Sequence, residues 1–130
     1  MSDEQKALRA CANYARLSAE VKRLTKEIAL TLRHCRGIRG TCGIGADGFQ
    51  YGEHDDESHL KHVFTPDIDD DGHAVFMTDL EIREYLSEHC EHCLAAYNLV
   101  LARKATKKSF GITKRAISAI GRAENNRGAA

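Results

Sequence analysis

Apolar positions step alternately by three and four along the first third of the chain. Ala7, Ala10, Tyr14, Leu17, Val21, Leu24, Ile28, Thr31 and Cys35 form a heptad seam, with Arg16, Glu20, Lys22, Arg23, Lys26 and Glu27 off it. Neither Gly nor Pro interrupts the run, so the spacing predicts one long helix over 3–35. The seam needs a partner: the protein's own C-terminal helices, or a second copy in a homodimer. A second helical pattern opens at Thr78-Asp79-Leu80-Glu81, where the hydroxyl and the carboxylate can each satisfy an orphan backbone N–H. It continues through Leu80, Ile82, Tyr85 and Leu86, and resumes through Leu94, Tyr97, Leu101 and Ala105. A pause is expected near 88–92 and a break at Gly111. A last helix is expected over 113–123, with Ala116, Ile117 and Ile120 on one face. Between the helical regions, Val63-Phe64-Thr65 and Ala74-Val75-Phe76-Met77 flank an Asp-rich turn, which predicts an acidic hairpin over 63–77. These elements give a mainly α single domain over 1–124 with a frayed tail, 125–130.

Six glycines lie between Gly37 and Gly52, so 36–62 is expected to be a Gly-rich metal loop followed by a His-rich segment. Gly43-Ile44-Gly45-Ala46-Asp47-Gly48 spells a dinucleotide-binding fingerprint, but no strand precedes it, and that motif needs strand, turn and helix. Asp67, Asp69, Asp71 and Gly72 imitate half of a calcium loop. The twelfth position, where a bidentate Glu belongs, is Thr78. His54, His59 and His62 are read as surface residues.

Composition adds a shortage. Leu, Ile, Val and Phe total 27 of 130 residues, so a core this thin calls for a metal or a partner as a staple. The 19 basic and 19 acidic residues cancel overall but are segregated. Residues 1–40 are net +5, residues 53–92 net −11 and residues 93–130 net +7. The parts either neutralise one another or offer separate faces to different partners. The N-terminus lacks the basic head and apolar stretch of a signal peptide, and no run of 18 apolar residues occurs. A cytoplasmic protein with reduced or metal-bound cysteines is therefore expected.

Five cysteines carry the chemistry. Cys90-Glu91-His92-Cys93 places two thiols three positions apart at a helix start, where both can reach one ion and where the helix end favours thiolate. Cys35 and Cys42 bracket the end of the first helix and the Gly-rich loop. Together Cys35, Cys42, Cys90 and Cys93 predict a structural Zn2+ site, with His34, His89 or His92 as possible substitutes for one thiolate. Cys11 lies one place off the seam and is read as a small buried side chain. No thioredoxin-like βαβ context accompanies the C-x-x-C.

Arg103, Lys104, Lys107, Lys108, Lys114, Arg115 and Arg122 form a basic C-terminal run suited to phosphates or to the chain's own acidic segment. Asp67, Asp69, Asp70 and Asp71 form the opposing acidic surface. A two-ligand loop, a hairpin and a helix giving two further ligands resemble a treble-clef zinc site. Some treble-clef proteins are metal-dependent nucleases, a role in which His62 and His73 would have to serve. From Cys90 to Arg122 the chain resembles the tail of small uncharacterised phage-encoded proteins, ending here in Lys114-Arg115-Ala116-Ile117-Ser118-Ala119-Ile120-Gly121-Arg122. That resemblance implies a phage accessory protein in an infected bacterial host. No nucleophile–base–oxyanion set is visible, so a non-enzymatic role is expected. The leading expectation is an inhibitor of a host-defence complex, such as an anti-CRISPR, presenting its acidic segment as a DNA mimic. A nucleic-acid-binding regulator using the basic helix is the alternative.

Overall fold

The computed structural model describes residues 2–38, 42–44, 50–52 and 57–128, the two short middle stretches as backbone only. Four helices dominate: α1 (Asp3–Leu32), α2 (His59–Phe64), α3 (Asp79–His89) and α4 (Glu91–Gly128). Two small antiparallel ribbons accompany them. The first pairs β1 (Cys42–Ile44) with β2 (Gln50–Gly52), and the second pairs β3 (Asp67–Ile68) with β4 (Ala74–Val75). The chain divides into two compact units, one of residues 1–25 with 101–130 and one of residues 26–100.

The first unit is an antiparallel pair of helical segments. Ser2 and Gln5 start α1 with a reciprocal cap: the Gln5 backbone N–H donates to the Ser2 hydroxyl at 3.1 Å, and the Ser2 backbone nitrogen donates to the Gln5 amide oxygen at 3.0 Å. Asp3 meets Arg127 at 2.7 Å, the Tyr14 and Phe110 rings lie 4.9 Å apart, and Arg103 donates to the Thr25 hydroxyl at 3.3 Å. These contacts run in opposite sequence directions, as two antiparallel helices require. Ala10, Leu17 and Leu24, seven residues apart, are buried on α1. On α4 in this unit, half-buried positions include Arg103, Thr106, Phe110, Thr113, Ile117 and Ile120, a row again alternating three and four. The seam therefore packs on the chain's own C-terminal helix within this unit.

The expected break at Gly111 does not occur, and α4 runs unbroken to Gly128, through most of the tail expected to fray. A mid-helix Gly costs up to about 1 kcal/mol against Ala, less than the packing of Phe110 and Thr113 beside it returns. A Cβ at Gly111 would meet only the Arg115 guanidinium, at an ordinary 3.7 Å. Gly111→Ala is therefore expected to stabilise the protein by about 0.5–1 kcal/mol, read as a raised melting temperature. An unchanged or lowered value would mean that α4 is not a regular helix at that point.

In the second unit, the strand expected at Val63–Thr65 is instead the end of α2 and its cap. The Ser58 hydroxyl accepts from the Lys61 backbone N–H and starts the helix. Leu60 and Val63, three apart, then face inward at 5 % and 2 % exposure. Pro66 ends it, because the residue before a proline is driven to extended backbone, here Thr65 with ψ 119°. The hairpin is thereby shortened to two residues a side. Thr78 and Glu81 make the capping box the sequence announces. Cys90, extended at φ −158°, separates α3 from α4. Ile28, Leu60, Val63, Ile82, Leu86, Ala96 and Tyr97 form this unit's core together with two cysteines, Cys35 and Cys93. Tyr97 keeps its hydroxyl satisfied by donating to Asp79 at 2.6 Å.

Candidate metal centre

Three separate backbone devices deliver side chains to one point in the 26–100 unit. After α1 ends, a tight turn carries Cys35, and the Gly37 backbone N–H donates to its sulfur at 3.3 Å. Gly37 holds φ +79°, a conformation that suits glycine, so the amide can turn back onto the thiol. The Ser58 cap sets the start of α2 and thereby His59, whose Nδ1 lies 3.4 Å from the Cys35 sulfur. Cys90 sits at the break before α4, and its sulfur accepts the Cys93 backbone N–H at 3.4 Å. Cys93, one turn on, is fully buried.

The ligand atoms of Cys35, His59, Cys90 and Cys93 all lie within 4.8 Å of one another. Donors about 2.3 Å from one ion at tetrahedral corners stand roughly 3.8 Å apart, so this group could hold a metal ion with small side-chain movements. Its charge state is already biased. Hydrogen bonding, from the Cys93 thiol above all and then from His59 and the Gly37 amide, pulls the Cys35 thiol down to about 4 against the opposing effect of burial. That donated hydrogen bond, followed by burial, pushes Cys93 up. Burial does most to raise Cys90. One sulfur is thus a thiolate that its neighbours' protons stabilise.

His59 is the member that the sequence does not announce, since its polar, His-rich surroundings read as surface. It is half-buried. The local clue was Ser58 ahead of Leu60 and Val63, which marks a helix start, but nothing local ties that start to Cys35. The Cys42 backbone lies in β1, and its side chain is outside the described residues, as is His54. His34, His89 and His92 do not join the four. With Arg36, Glu91 and two members of the group, His59 and Cys90, they line a cleft beside it. The His34 and His92 rings are 5.2 Å apart, and His89 stacks on His59 at 6.2 Å. Cys11 is exposed on α1 rather than buried.

The acidic hairpin residues Asp67, Asp69, Asp70 and Asp71 are all exposed. Asp69 closes its own turn, accepting the Asp71 and His73 backbone N–H groups at 3.0 and 2.8 Å. Asp69, Asp71 and His73 stand close enough to share an ion but are all exposed. Thr78, the twelfth position of the calcium-loop reading, is occupied as the cap of α3. His62, on α2, pairs with Glu57 at 3.5 Å.

Of the basic run, Lys104, Lys107, Lys108, Lys114, Arg115 and Arg122 are exposed, whereas Arg103 is half-buried and bonded to Thr25. Arg103 therefore belongs to the seam rather than to the outward stripe. Residues 1–25 and 101–130 together carry 13 basic and four acidic side chains, net +9. Residues 26–100 carry six basic and 15 acidic, net −9. The charge segregation follows the two compact units. Among the described residues, no helix is long and apolar enough to cross a membrane. No protein-family model matches the chain, and comparisons with curated proteins and with solved structures find no similar protein.

Proposed function

We propose that this protein is a zinc-stapled, non-enzymatic nucleic-acid-binding protein. The observation that carries the binding role is the outward side of α4. No Asp or Glu occurs from His92 to Ala123, and six exposed cations lie within that stretch. Three of the four carboxylates in the same unit, Asp3, Glu20 and Glu124, are already paired with Arg127 or Arg23. Among the described residues, none of the six cations is paired with a carboxylate, which suits phosphates.

The staple is Cys35, His59, Cys90 and Cys93 around Zn2+. Three soft thiolates and one imidazole are a zinc donor set. Four protein donors saturate a tetrahedral ion and leave no position for substrate, which supports a structural role. In a four-thiolate, treble-clef version of the centre, Cys42 takes the place of His59.

Binding is tested by anisotropy of a labelled 24-mer, single- or double-stranded, against the zinc-loaded protein at rising salt. With about five phosphates neutralised, log K should fall against log[salt] with a slope of roughly −4 to −5 for the duplex and roughly −3 to −4 for the single strand. No binding of either strand form at low salt would overturn the reading.

A second reading keeps the acidic unit as the active surface: a phage accessory protein that inhibits a host nucleoprotein complex by occupying its nucleic-acid channel. The hairpin favours it, because Ile68, Val75, Phe76 and Leu80 are exposed at 52 to 67 % close to the four aspartates. Exposed apolar side chains among carboxylates suit a basic protein surface. This reading expects competition with DNA for that host complex, weakened by Asp70→Lys with Asp71→Lys.

A further inference from the structure

Resting on the nucleic-acid reading, we infer that α4 is a groove-lying helix for double-stranded DNA, contacted along the row Lys104, Lys108, Gly111, Arg115, Ser118 and Arg122. At 100° per residue, the four cations of this row fall within an arc of roughly 40°. The packed row of Thr106, Phe110, Thr113, Ile117 and Ile120 centres about 180° away. The face that binds is therefore opposite the face that packs on α1. From Lys104 to Arg122 the row is roughly 27 Å long at 1.5 Å per residue. That length spans about eight base pairs of a straight duplex, with phosphates on both sides.

Shape and charge point to a duplex rather than to a single strand. Single strands are held by aromatic platforms, and the only aromatic residues in this unit are Tyr14 and Phe110, whose rings pack against each other at 4.9 Å. Phe110 also lies on the packed row. An α-helix about 10–12 Å across fits the roughly 12 Å major groove of B-form DNA. The A-form major groove of RNA is too deep and narrow for it. Ser118, exposed between the cations, is small where the helix backbone would come near the base edges, and Gly111 is half-buried on the same row. The Arg115 guanidinium lies 3.7 Å from the place a Gly111 Cβ would take, so this one cation lies over Gly111. Contacts to phosphates are expected to carry the affinity, so it should vary little with sequence.

The test uses full-length, zinc-loaded protein with 24-nucleotide duplex DNA, single-stranded DNA and duplex RNA in the same buffer. Duplex DNA is expected to bind at least tenfold tighter than either of the others. Lys108→Glu with Arg115→Glu should lower duplex affinity about 100-fold or more and flatten the salt slope by about two. The charge-matched pair Arg16→Glu with Lys22→Glu, on α1, should lower it only a few-fold. Ser118→Trp leaves the charge unchanged and should still weaken duplex binding about tenfold by blocking close approach. Circular dichroism and zinc content establish that each variant is folded. Equal binding of single strands or of duplex RNA overturns the groove assignment while leaving the nucleic-acid reading intact. Equal losses from the two charge-reversal pairs also overturn it. Absence of binding to all three removes both.

Discussion

Cys93→Ser is expected to empty the metal centre and unfold residues 26–100. The Cys93 side chain is fully buried and lies in the core of this unit, beside the thiol of Cys35. Structural zinc contributes on the order of 10 kcal/mol of apparent folding free energy, comparable with the whole stability of a typical domain, about 5–15 kcal/mol. Among the described residues this unit buries nine apolar side chains, two of them cysteines of the centre, a core too small to offset that loss. Elemental analysis should give one zinc per chain in the wild type and none in the variant, with loss of cooperative unfolding. A metal-free preparation that unfolds at the same temperature as the loaded protein would sink the staple. His59→Ala should weaken zinc binding strongly, whereas Cys42→Ser should leave it bound. The reverse result would restore the four-thiolate centre. Affinity should also fall with pH, because Cys90 and Cys93 are raised and must lose protons to the metal, whereas Cys35 is already ionised above about 4. Each proton displaced corresponds to roughly a tenfold loss of affinity per pH unit.

Leu86→Ala should produce the largest loss that leaves the ligands untouched. Leu86 is fully buried on α3 in the same core as Leu60, Val63 and Ile82. Removing three carbons from a packed site costs the transfer free energy of those atoms and leaves a cavity, together about 2–5 kcal/mol. For a unit of this size the melting temperature should drop by roughly 8–40 °C. Zinc should remain bound at one per chain, which separates this variant from the ligand substitutions. A drop of only a degree or two would mean that α2 and α3 do not pack as described.

Local chemistry carried much of the architecture into view. The seam from Ala7 to Leu24 needs only the 3.6-residue period to show as a helix, and Thr78 with Glu81 needs only four residues to show as a cap. Cys90 and Cys93 were legible for the same reason: ligands three apart at a helix start are a local pattern. Errors arose where two local tendencies competed. Val63-Phe64-Thr65 is β-prone by composition, but the Ser58 cap and the inward spacing of Leu60 and Val63 made it a helix. Gly111 is a helix breaker by itself, yet the seam on either side of it continues.

The sequence by itself determined the long helices, the C-x-x-C and the separation of basic from acidic stretches, because each depends on neighbours within a few residues. Only the tertiary structure decided that His59 stands with the three thiols, that Arg103 turns inward, and that six cations share the outward side of α4. Those facts depend on which segments meet and which face of a helix is covered. Contacts across dozens of residues are set by how all the elements pack, which a local pattern does not encode.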